Sequence, residues 1–444
     1  MNIMSSTIFA LSSGTGTSGV AIIRASGPGV LRIVTEFALG VLPPRAARLV
    51  RIIDPTSNEL IDTALALRFP APRSYTGEDV LELHVHGGRA VIAALLAALS
   101  RIEGCRLAEA GEFTRRAFHN GKLDLTEAEG LADLIAAETE AQRRQALRVA
   151  GGALRDLYDG WRIKLIESMA LMEASLDFSD EPDVASDSVA QARAAATSLR
   201  AQLSSHLEDE RRGEILRDGL RVVIAGPPNA GKSSLLNALA RRDVAIVSPE
   251  PGTTRDVVEA RLDLGGYPII VCDTAGIRDR PAGAIEAEGI RRSLARFAEA
   301  DLVLWLIDAC HPISTLPIEL LDQGAKVLPV LSKIDLSRPA GLTVAAAVST
   351  LTGEGLPALL DVIGQRAARQ LDAGDSPQIT TSRQRSLVVA TGVALDAFFA
   401  GSPEQPELRA EDLRQAARSL GLLTGRVDVE DVLHQLFGRF CIGK

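Results

Sequence analysis

A chain of 444 residues is longer than one hydrophobic core usually grows, roughly 250 to 300 residues, and points to about three domains. With 46% hydrophobic and 24% charged residues, extensive disorder is excluded as the organising state. A formal charge of −9 argues against a protein that coats nucleic acid non-specifically, because that binding runs on clustered Lys and Arg. An RNA substrate then needs a local basic patch or a helper. The four cysteines, Cys105, Cys272, Cys310 and Cys441, form no CxxC pair, which suggests neither a zinc knuckle nor a disulfide framework and fits a reducing compartment. The opening MNIMSSTIFALSSGTG has no basic stretch before its short apolar run, and about 18 consecutive apolar residues occur nowhere. The expected location is the cytoplasm, without a membrane partner.

Along residues 1–121, β-like runs at Thr7–Leu11, Val20–Arg24 and Val80–Val85 mix with an apolar helical stretch from Ala90 to Ile102, the pattern of a small α/β domain. From Leu123 the period becomes helical. Thr126 and Glu129 have capping-box spacing ahead of Leu131, Leu134 and Ile135, and the pattern runs to about Asp177, where the acidic, Pro-containing stretch to Asp187 breaks it. A second helical stretch, Val189–Leu216, leads into the strand-like Leu220–Ala225, and strand–loop–helix alternation then persists to about Gln370. That alternation marks a parallel-sheet nucleotide domain. Beyond the polar joint Asp372–Pro377, helical patterning returns at Ser386–Phe399, Ala410–Leu420 and Val429–Leu436. These last segments make too small a core alone and are expected to pack on the earlier helices. The expected architecture is an α/β N-terminal domain over 1–121, an α-helical domain in two segments, 122–217 and 372–444, and a Ras-like GTPase domain with a mostly parallel sheet inserted at 218–371.

The inserted domain carries the chemistry. Gly226-Pro-Pro-Asn229-Ala230-Gly231-Lys232-Ser233 fits GxxxxGK[ST], follows the apolar Val222–Ala225 and opens a helix at Ser234–Ala240, which is the context a phosphate-binding loop requires. Glycines let the backbone wrap the phosphates, Lys232 reaches the β/γ oxygens and the Ser233 hydroxyl ligates Mg²⁺. A second strand, Pro268–Cys272, ends in Asp273-Thr274-Ala275-Gly276, where the carboxylate can hold Mg²⁺ through water and the Gly276 amide can meet the γ-phosphate. Upstream, Gly252-Thr253-Thr254-Arg255-Asp256 offers a hydroxyl, assigned to Thr254, for the remaining protein position on Mg²⁺. After the strand Val327–Leu331, Ser332-Lys333-Ile334-Asp335 is the base-reading tetrad. Its aspartate accepts from both N1–H and N2–H₂ of guanine, a pairing adenine does not offer. The tetrad usually begins with Asn, and Ser332 in its place shortens or removes one amide contact. If Asp335 does not carry the base reading, the loop Ser349-Thr350-Leu351 is the other place for it.

Ras-like enzymes orient the attacking water with a glutamine just after the switch glycine, where this chain has Ile277, a hydrocarbon unable to do so. Two other residues offer themselves: Asn229, whose amide oxygen suits a monovalent cation, and Glu286. By its pattern alone Glu286 is equally well a solvated carboxylate beside Glu288.

The segments GVAIIRASG, SYTGEDVLELHVHGG, GEFTRRAFHNGKLDLTEAEG, the GTPase motifs and the terminal Phe-Cys-Ile-Gly-Lys together resemble the MnmE/TrmE tRNA-modification GTPase family over essentially the whole chain. The resemblance implies that Asn229, Ser248, Glu250 and Thr253 hold K⁺ where other enzymes use an arginine finger, and that the catalytic glutamate is Glu286. The loop is one residue longer than the family spacing, so Glu288 stays open. Asn229, Ala230, Gly231, Lys232, Ser233, Ser234, Ser248, Thr253, Thr254, Asp273, Thr274, Ala275, Gly276, Ser332, Lys333, Asp335, Ser349 and Thr350 form the implied GTP site. The resemblance also implies a homodimer through the N-terminal domain and a tetrahydrofolate one-carbon donor, 5-formyl or 5,10-methylene, lined by Arg24, Glu82, Lys122 and Lys444. A carboxylate suits a pterin donor–acceptor edge, and cations suit carbonyl or carboxylate oxygens. His84 and His86 share a strand face, where a metal pair competes with packing or substrate contact. Cys441 is a nucleophile, a thiol facing the folate, or a small apolar residue.

The function implied by this resemblance is that of a K⁺- and Mg²⁺-dependent GTPase. With an FAD-dependent, MnmG-type (GidA) subunit in a heterotetramer or larger complex, it would place a carboxymethylaminomethyl or aminomethyl group on C5 of the tRNA wobble uridine. The alternative is a GTP-dependent RNA-binding switch in ribosome assembly, which shares the motifs around Asn229 and Ile277.

Overall fold

The computed structural model describes residues 6–14, 16–177, 182–242, 244–246, 259–273, 300–312, 326–372, 374, 376–402, 404–426, 433, 436–438, 440 and 443. By its contacts the chain divides into two compact units, one of Met1–Ala132, Leu154–Arg162 and Ala417–Lys444, the other of Asp133–Ala153 and Ile163–Ala416.

In the first unit, β1 (Thr7–Leu11), β2 (Ser18–Ser26), β3 (Arg48–Ile53), β4 (Leu60–Phe69), β5 (Val80–Gly87) and β6 (Cys105–Leu107) form a sheet in the order β3-β4-β5-β2-β1-β6. Neighbours are antiparallel except β1 with β6. Helices α1 (Val30–Glu36) and α2 (Arg89–Ser100) cover one face. Period-2 alternation sends Phe9, Ile23, Ile52, Ala64, Leu83 and Val85 into that core with Ile33 and Leu95. The opposite face carries Arg24 and Glu82, with Leu49 and Leu65 exposed as a cross-strand pair. Helix α3 (Glu112–His119) comes after the sheet.

Four helices come next, α4 (Leu125–Ala136), α5 (Glu140–Ala150), α6 (Ala153–Asp177) and α7 (Pro182–Leu207). The cap of α4 differs from expectation. The Asp124 carboxylate accepts from the Glu127 amide at 2.7 Å, and Glu127 accepts in return from the Asp124 amide at 2.8 Å. The capping box is therefore Asp124–Glu127, two residues before the Thr126–Glu129 spacing, because Leu125 is fully buried and belongs to the first helical turn. The helix expected from Val189 starts at Pro182, since proline's missing N–H costs nothing in a first turn. It also ends at Leu207 rather than Leu216, because Glu210 and Arg211 take left-handed φ values of 50° and 60° before α8 (Arg212–Asp218).

The second sheet contains β7 (Leu220–Ala225), β8 (Glu259–Leu264), β9 (Tyr267–Asp273), β10 (Leu302–Asp308), β11 (Val327–Ser332) and β12 (Ala346–Ala347), in the order β12-β11-β10-β7-β9-β8. It is parallel except for β8. Leu220, Val222 and Ile224 face a core shared with Leu235 and Leu239 of α9 (Lys232–Ala240) and Leu359 and Ile363 of α10 (Leu356–Leu371). Val223, Ala225, Val303 and Val327 are buried on the other face. This is the near-continuous apolar pattern of a parallel sheet covered on both sides. Helices α11 (Ser382–Ala400) and α12 (Pro406–Thr424) complete the described elements. The helices before and after the sheet join: Arg200 of α7 grips Asp396 of α11 at 2.8 and 2.9 Å. Arg385 of α11 reaches Asp209 at 2.7 Å and Glu214 at 3.1 Å. The expected helix Val429–Leu436 lies mostly outside the described residues.

Candidate functional site

The phosphate loop sits between β7 and α9, at the carboxyl end of a central strand, where open α/β sheets bind ligands. Its shape comes from three left-handed residues, Gly226 at φ 144°, Asn229 at 61° and Gly231 at 93°. Asparagine is among the few residues with a side chain that tolerate this region, and Asn229 is exposed. Lys232 Nζ donates to the carbonyls of Gly226 at 3.0 Å and Pro227 at 2.9 Å, so the ammonium lies over the loop mouth. The Ser233 hydroxyl and the Asp273 carboxylate, from α9 and the end of β9, meet at 2.6 Å. One hydroxyl and one buried carboxylate converging beside a phosphate loop are a donor set that fits Mg²⁺, which Ser233 could ligate directly and Asp273 through water. Ser234 is exposed beside them and Ala230 is buried.

The base-reading tetrad comes after β11. Ser332 is 3% exposed, and its hydroxyl donates to the Ala230 carbonyl at 2.7 Å, with the Ile307 carbonyl at 3.2 Å. The serine thus ties the tetrad to the phosphate loop. Lys333, at φ 57°, pairs with Asp308 of β10 at 2.7 Å. Burial pushes the Asp308 carboxyl up, but the Lys333 ammonium and Cys310 amide outweigh it and hold the group below the ordinary range. Asp335 is exposed, open to a base. The Ile334 amide reaches the Val348 carbonyl at 3.4 Å, joining the tetrad to the Ser349–Thr350 loop. That loop is closed by the Ser349 amide on the Glu354 carbonyl at 2.9 Å.

Asn229, Ala230, Gly231, Lys232, Ser233, Ser234, Asp273, Ser332, Lys333, Asp335, Ser349 and Thr350 thus share the carboxyl end of one sheet. Ser248, Glu250, Thr253, Thr254, Thr274, Ala275, Gly276, Ile277, Glu286 and Glu288 lie outside the described residues. Sequence reasoning missed Asp308, whose signal was an aspartate ending the apolar run Leu302–Ile307.

In the first unit, Arg24 of β2 stands opposite Glu82 of β5 in register, and its guanidinium meets Glu82 Oε1 at 2.9 Å through two nitrogens. The Tyr75 and Phe113 rings lie 5.4 and 5.8 Å from the Arg24 guanidinium carbon. Tyr75 stands in SYTGEDVLELHVHGG and Phe113 in GEFTRRAFHNGKLDLTEAEG, where nothing in the pattern marks either ring as a site residue. Beside them is a buried charge network. Arg116, 1% exposed, reaches Glu112 at 3.0 Å and Glu78 at 3.1 Å, and Ser26 donates to Glu78 at 2.7 Å. Burial pushes the Glu112 carboxyl up, and Arg106, the Glu109 amide and Arg116 outweigh it, leaving it low. Lys122 Nζ donates to the Pro72 carbonyl at 3.3 Å, so its ammonium is directed at the 70–73 turn. His84 lies 3.5 Å from Glu82, whereas His86 bonds Asp62 at 2.8 Å, so the two imidazoles serve different carboxylates. Cys441 and Lys444 lie outside the described residues.

A mostly parallel sheet with a GxxxxGK[ST] loop, a Ser–Asp pair beside it and a Ser-Lys-Ile-Asp tetrad after β11 is the arrangement of a P-loop GTPase. Residues 125–441 match the family described as the MnmE helical domain, and residues 7–122 match the GTP-binding protein TrmE N-terminus. The tRNA modification GTPase MnmE of Parvibaculum lavamentivorans is 51% identical over 99% of this chain and 100% of its own. Those of Rhodopseudomonas palustris and Methylobacterium sp. are 50% and 51% identical over 99% of this chain and 99% and 100% of theirs. Among solved structures, the chain is similar to the G domain of the T. maritima FeoB iron transporter, at 29% identity over 33% of this chain and 98% of that one, with a TM-score of 0.23. The chain belongs to the MnmE family of tRNA modification GTPases. It is a GTP hydrolase of tRNA modification, which sets aside the ribosome-assembly alternative. Among the described residues no helix is long and apolar enough to cross a membrane.

Proposed function

We propose that this GTPase is K⁺-dependent and works as a cytoplasmic homodimer with an FAD-dependent MnmG-type subunit, placing a folate-derived one-carbon unit on C5 of the wobble uridine. The division into residues 1–121, 122–217 with 372–444, and 218–371 belongs to the same reading. In the nucleotide site, Lys232 neutralises the β/γ oxygens, while Ser233 and Thr254 ligate Mg²⁺. Asn229, Ser248, Glu250 and Thr253 hold K⁺, and Glu286, with Glu288 as the weaker candidate, positions the attacking water. The exposed left-handed Asn229 supports the cation assignment, because its amide oxygen is presented at the loop rim.

The observation that carries the folate half is the Arg24–Glu82 pair in register on β2 and β5, flanked by Tyr75 and Phe113. The half-buried Glu82 has Oε1 held by the guanidinium and Oε2 approached by His84 at 3.5 Å, which leaves lone pairs for paired N–H donors, and the half-buried Tyr75 ring beside it suits a flat heterocycle. Bound there, a tetrahydrofolate would supply the one-carbon unit. Arg24 orients Glu82, and Lys122 and Lys444 meet the ligand's oxygens. The exposed cross-strand leucines Leu49 and Leu65 on the same sheet face suit a second copy of the domain.

The test has two arms. GTP turnover at saturating nucleotide and matched ionic strength should be faster in KCl than in NaCl, with the preference erased in Asn229→Ala. Equal native rates in both salts reject the cation assignment. Calorimetry with 5-formyltetrahydrofolate should show binding that Glu82→Ala lowers at least about tenfold, the value of one charge-assisted hydrogen bond. Undiminished binding removes Glu82 from the site.

A further inference from the structure

The chain carries 57 acidic and 48 basic side chains, and many of its surface cations are engaged. Arg32 meets Glu103, Arg101 meets Asp54, Arg115 meets Glu109, and Arg143 and Arg144 share Glu140. Along one edge of the first sheet a group of them is not. Strand β3 ends the first sheet, and along it and the adjoining β4 and 70–73 turn stand Arg45, Arg48, Arg51, Arg68 and Arg73. Among the described residues none of the five has a carboxylate within 4.0 Å. Of the neighbouring carboxylates, Asp54 is held by Arg101, Asp62 by His86 and Asp79 by the Ala71 amide, while Glu59 stands exposed in the turn between β3 and β4.

The fold brings these cations together. The Arg45 amide bonds the Arg68 carbonyl at 2.8 Å, and the Arg45 side chain donates to the Arg73 carbonyl while its guanidinium carbon lies 5.9 Å from the Phe69 ring centre. Arg48 and Arg51 stand opposite Ala66 and Thr63, about 10 Å apart along the strand and on opposite faces of its edge, Arg51 on the side of Leu49. All but the half-buried Arg68 are exposed. A cluster of guanidinium groups without carboxylate partners is the footprint that phosphate-backbone binding uses.

From this geometry we infer that the β3 edge, Arg45, Arg48, Arg51, Arg68 and Arg73, binds the phosphodiester backbone of the tRNA. The inference rests on the tRNA-directed reading of the site and gives it the local basic patch that a chain of charge −9 requires. Cations on an edge strand also deter edge-to-edge pairing. That role alone needs neither five of them nor their clustering into the 70–73 turn, and it predicts no salt-dependent RNA contact.

The experiment uses the full chain and a fluorescein-labelled, unmodified tRNA transcript, with anisotropy titrations from about 50 to about 200 mM KCl. The Arg48→Ala/Arg51→Ala/Arg73→Ala variant should bind roughly 10- to 100-fold more weakly, and its slope of log affinity against log salt should be shallower by about three. The matching triple Lys variant keeps most of the binding, and Arg143→Ala/Arg144→Ala is unchanged. GTP turnover of the β3-edge variants in KCl reports that the nucleotide domain is intact. An unchanged slope in the Ala variant overturns the inference while leaving the tRNA reading in place. Failure of the native chain to bind the transcript overturns both. If the Ala variant binds tRNA normally but loses pentaglutamyl tetrahydrofolate, the edge serves the folate tail and the RNA inference falls.

Discussion

Ser332 shows how a departure from a motif is read differently with and without coordinates. As sequence, it is a lost amide at the guanine. In the structure its hydroxyl holds the Ala230 carbonyl at 2.7 Å in a site 3% exposed, so it braces the phosphate loop and the base-reading loop against each other. Removing a buried donor leaves the Ala230 carbonyl unsatisfied, at a cost of roughly 1 kcal/mol or more. Ser332→Ala should therefore weaken GDP binding about fivefold, whereas Ser332→Asn keeps one N–H for Ala230 and adds another for guanine, tightening binding by a similar factor. Titration of labelled GDP decides it: native affinity in Ser332→Ala removes the brace from the account.

At the scale of elements, the loop between β7 and α9 depends on Gly226. Its φ of 144° lies in a region closed to most side chains, and a Cβ there would stand 2.7 Å from the Leu306 carbonyl of β10. Gly226→Ala must shift one strand or the loop, with strain of about 1–3 kcal/mol, and should weaken GDP binding by roughly 5- to 150-fold while lowering the unfolding temperature by several degrees. Native-like GDP affinity in that variant would show that the loop tolerates the displacement. Much of this sheet was readable in advance because buried parallel strands are apolar runs ending in polar residues: Leu220–Ala225 is β7 itself, and Pro268–Cys272 and Val327–Leu331 each fall within a strand. Strands β3 and β4 were not readable, since Leu49 and Leu65 place exposed leucines where alternation calls for polar residues. The cap of α4 was misplaced because two S/T/D-x-x-E spacings overlap, and only the burial of Leu125 chooses Asp124. At the site, the nucleotide motifs were legible through their fixed spacing, whereas Tyr75, Phe113 and Asp308 gain meaning only when register and loop closure bring them beside Arg24 and Lys333.

Across the whole molecule, the two compact units carry buried titratable groups of opposite sign. Burial pushes the Asp124 carboxyl of the first unit up to about 6, against the Glu127 amide and Thr126 hydroxyl, with Glu127 adding repulsion. Burial pushes His206 of the second unit down to about 4, with Asp209 opposing and Arg385 assisting. Between about pH 4 and pH 6 the folded first unit binds more protons at Asp124 than its unfolded chain, so this stabilisation is full at low pH and is lost as pH rises through about 6. For His206 the unfolded chain binds more protons below its ordinary value of 6.5, so stability present at neutral pH is lost as pH falls toward about 4. Acidification from pH 7 to pH 5 should thus strengthen the first unit and weaken the second, each by on the order of 1 kcal/mol after solvent screening. The two tryptophans separate the responses, Trp161 lying in the first unit and Trp305 in the second. Urea unfolding of single-tryptophan variants, Trp305→Phe to follow Trp161 and Trp161→Phe to follow Trp305, should show midpoints moving in opposite directions with pH. Asp124→Asn should flatten the first response and His206→Gln the second. Midpoints that fall together on acidification, and that neither substitution alters, would assign the acid response to surface carboxylates instead.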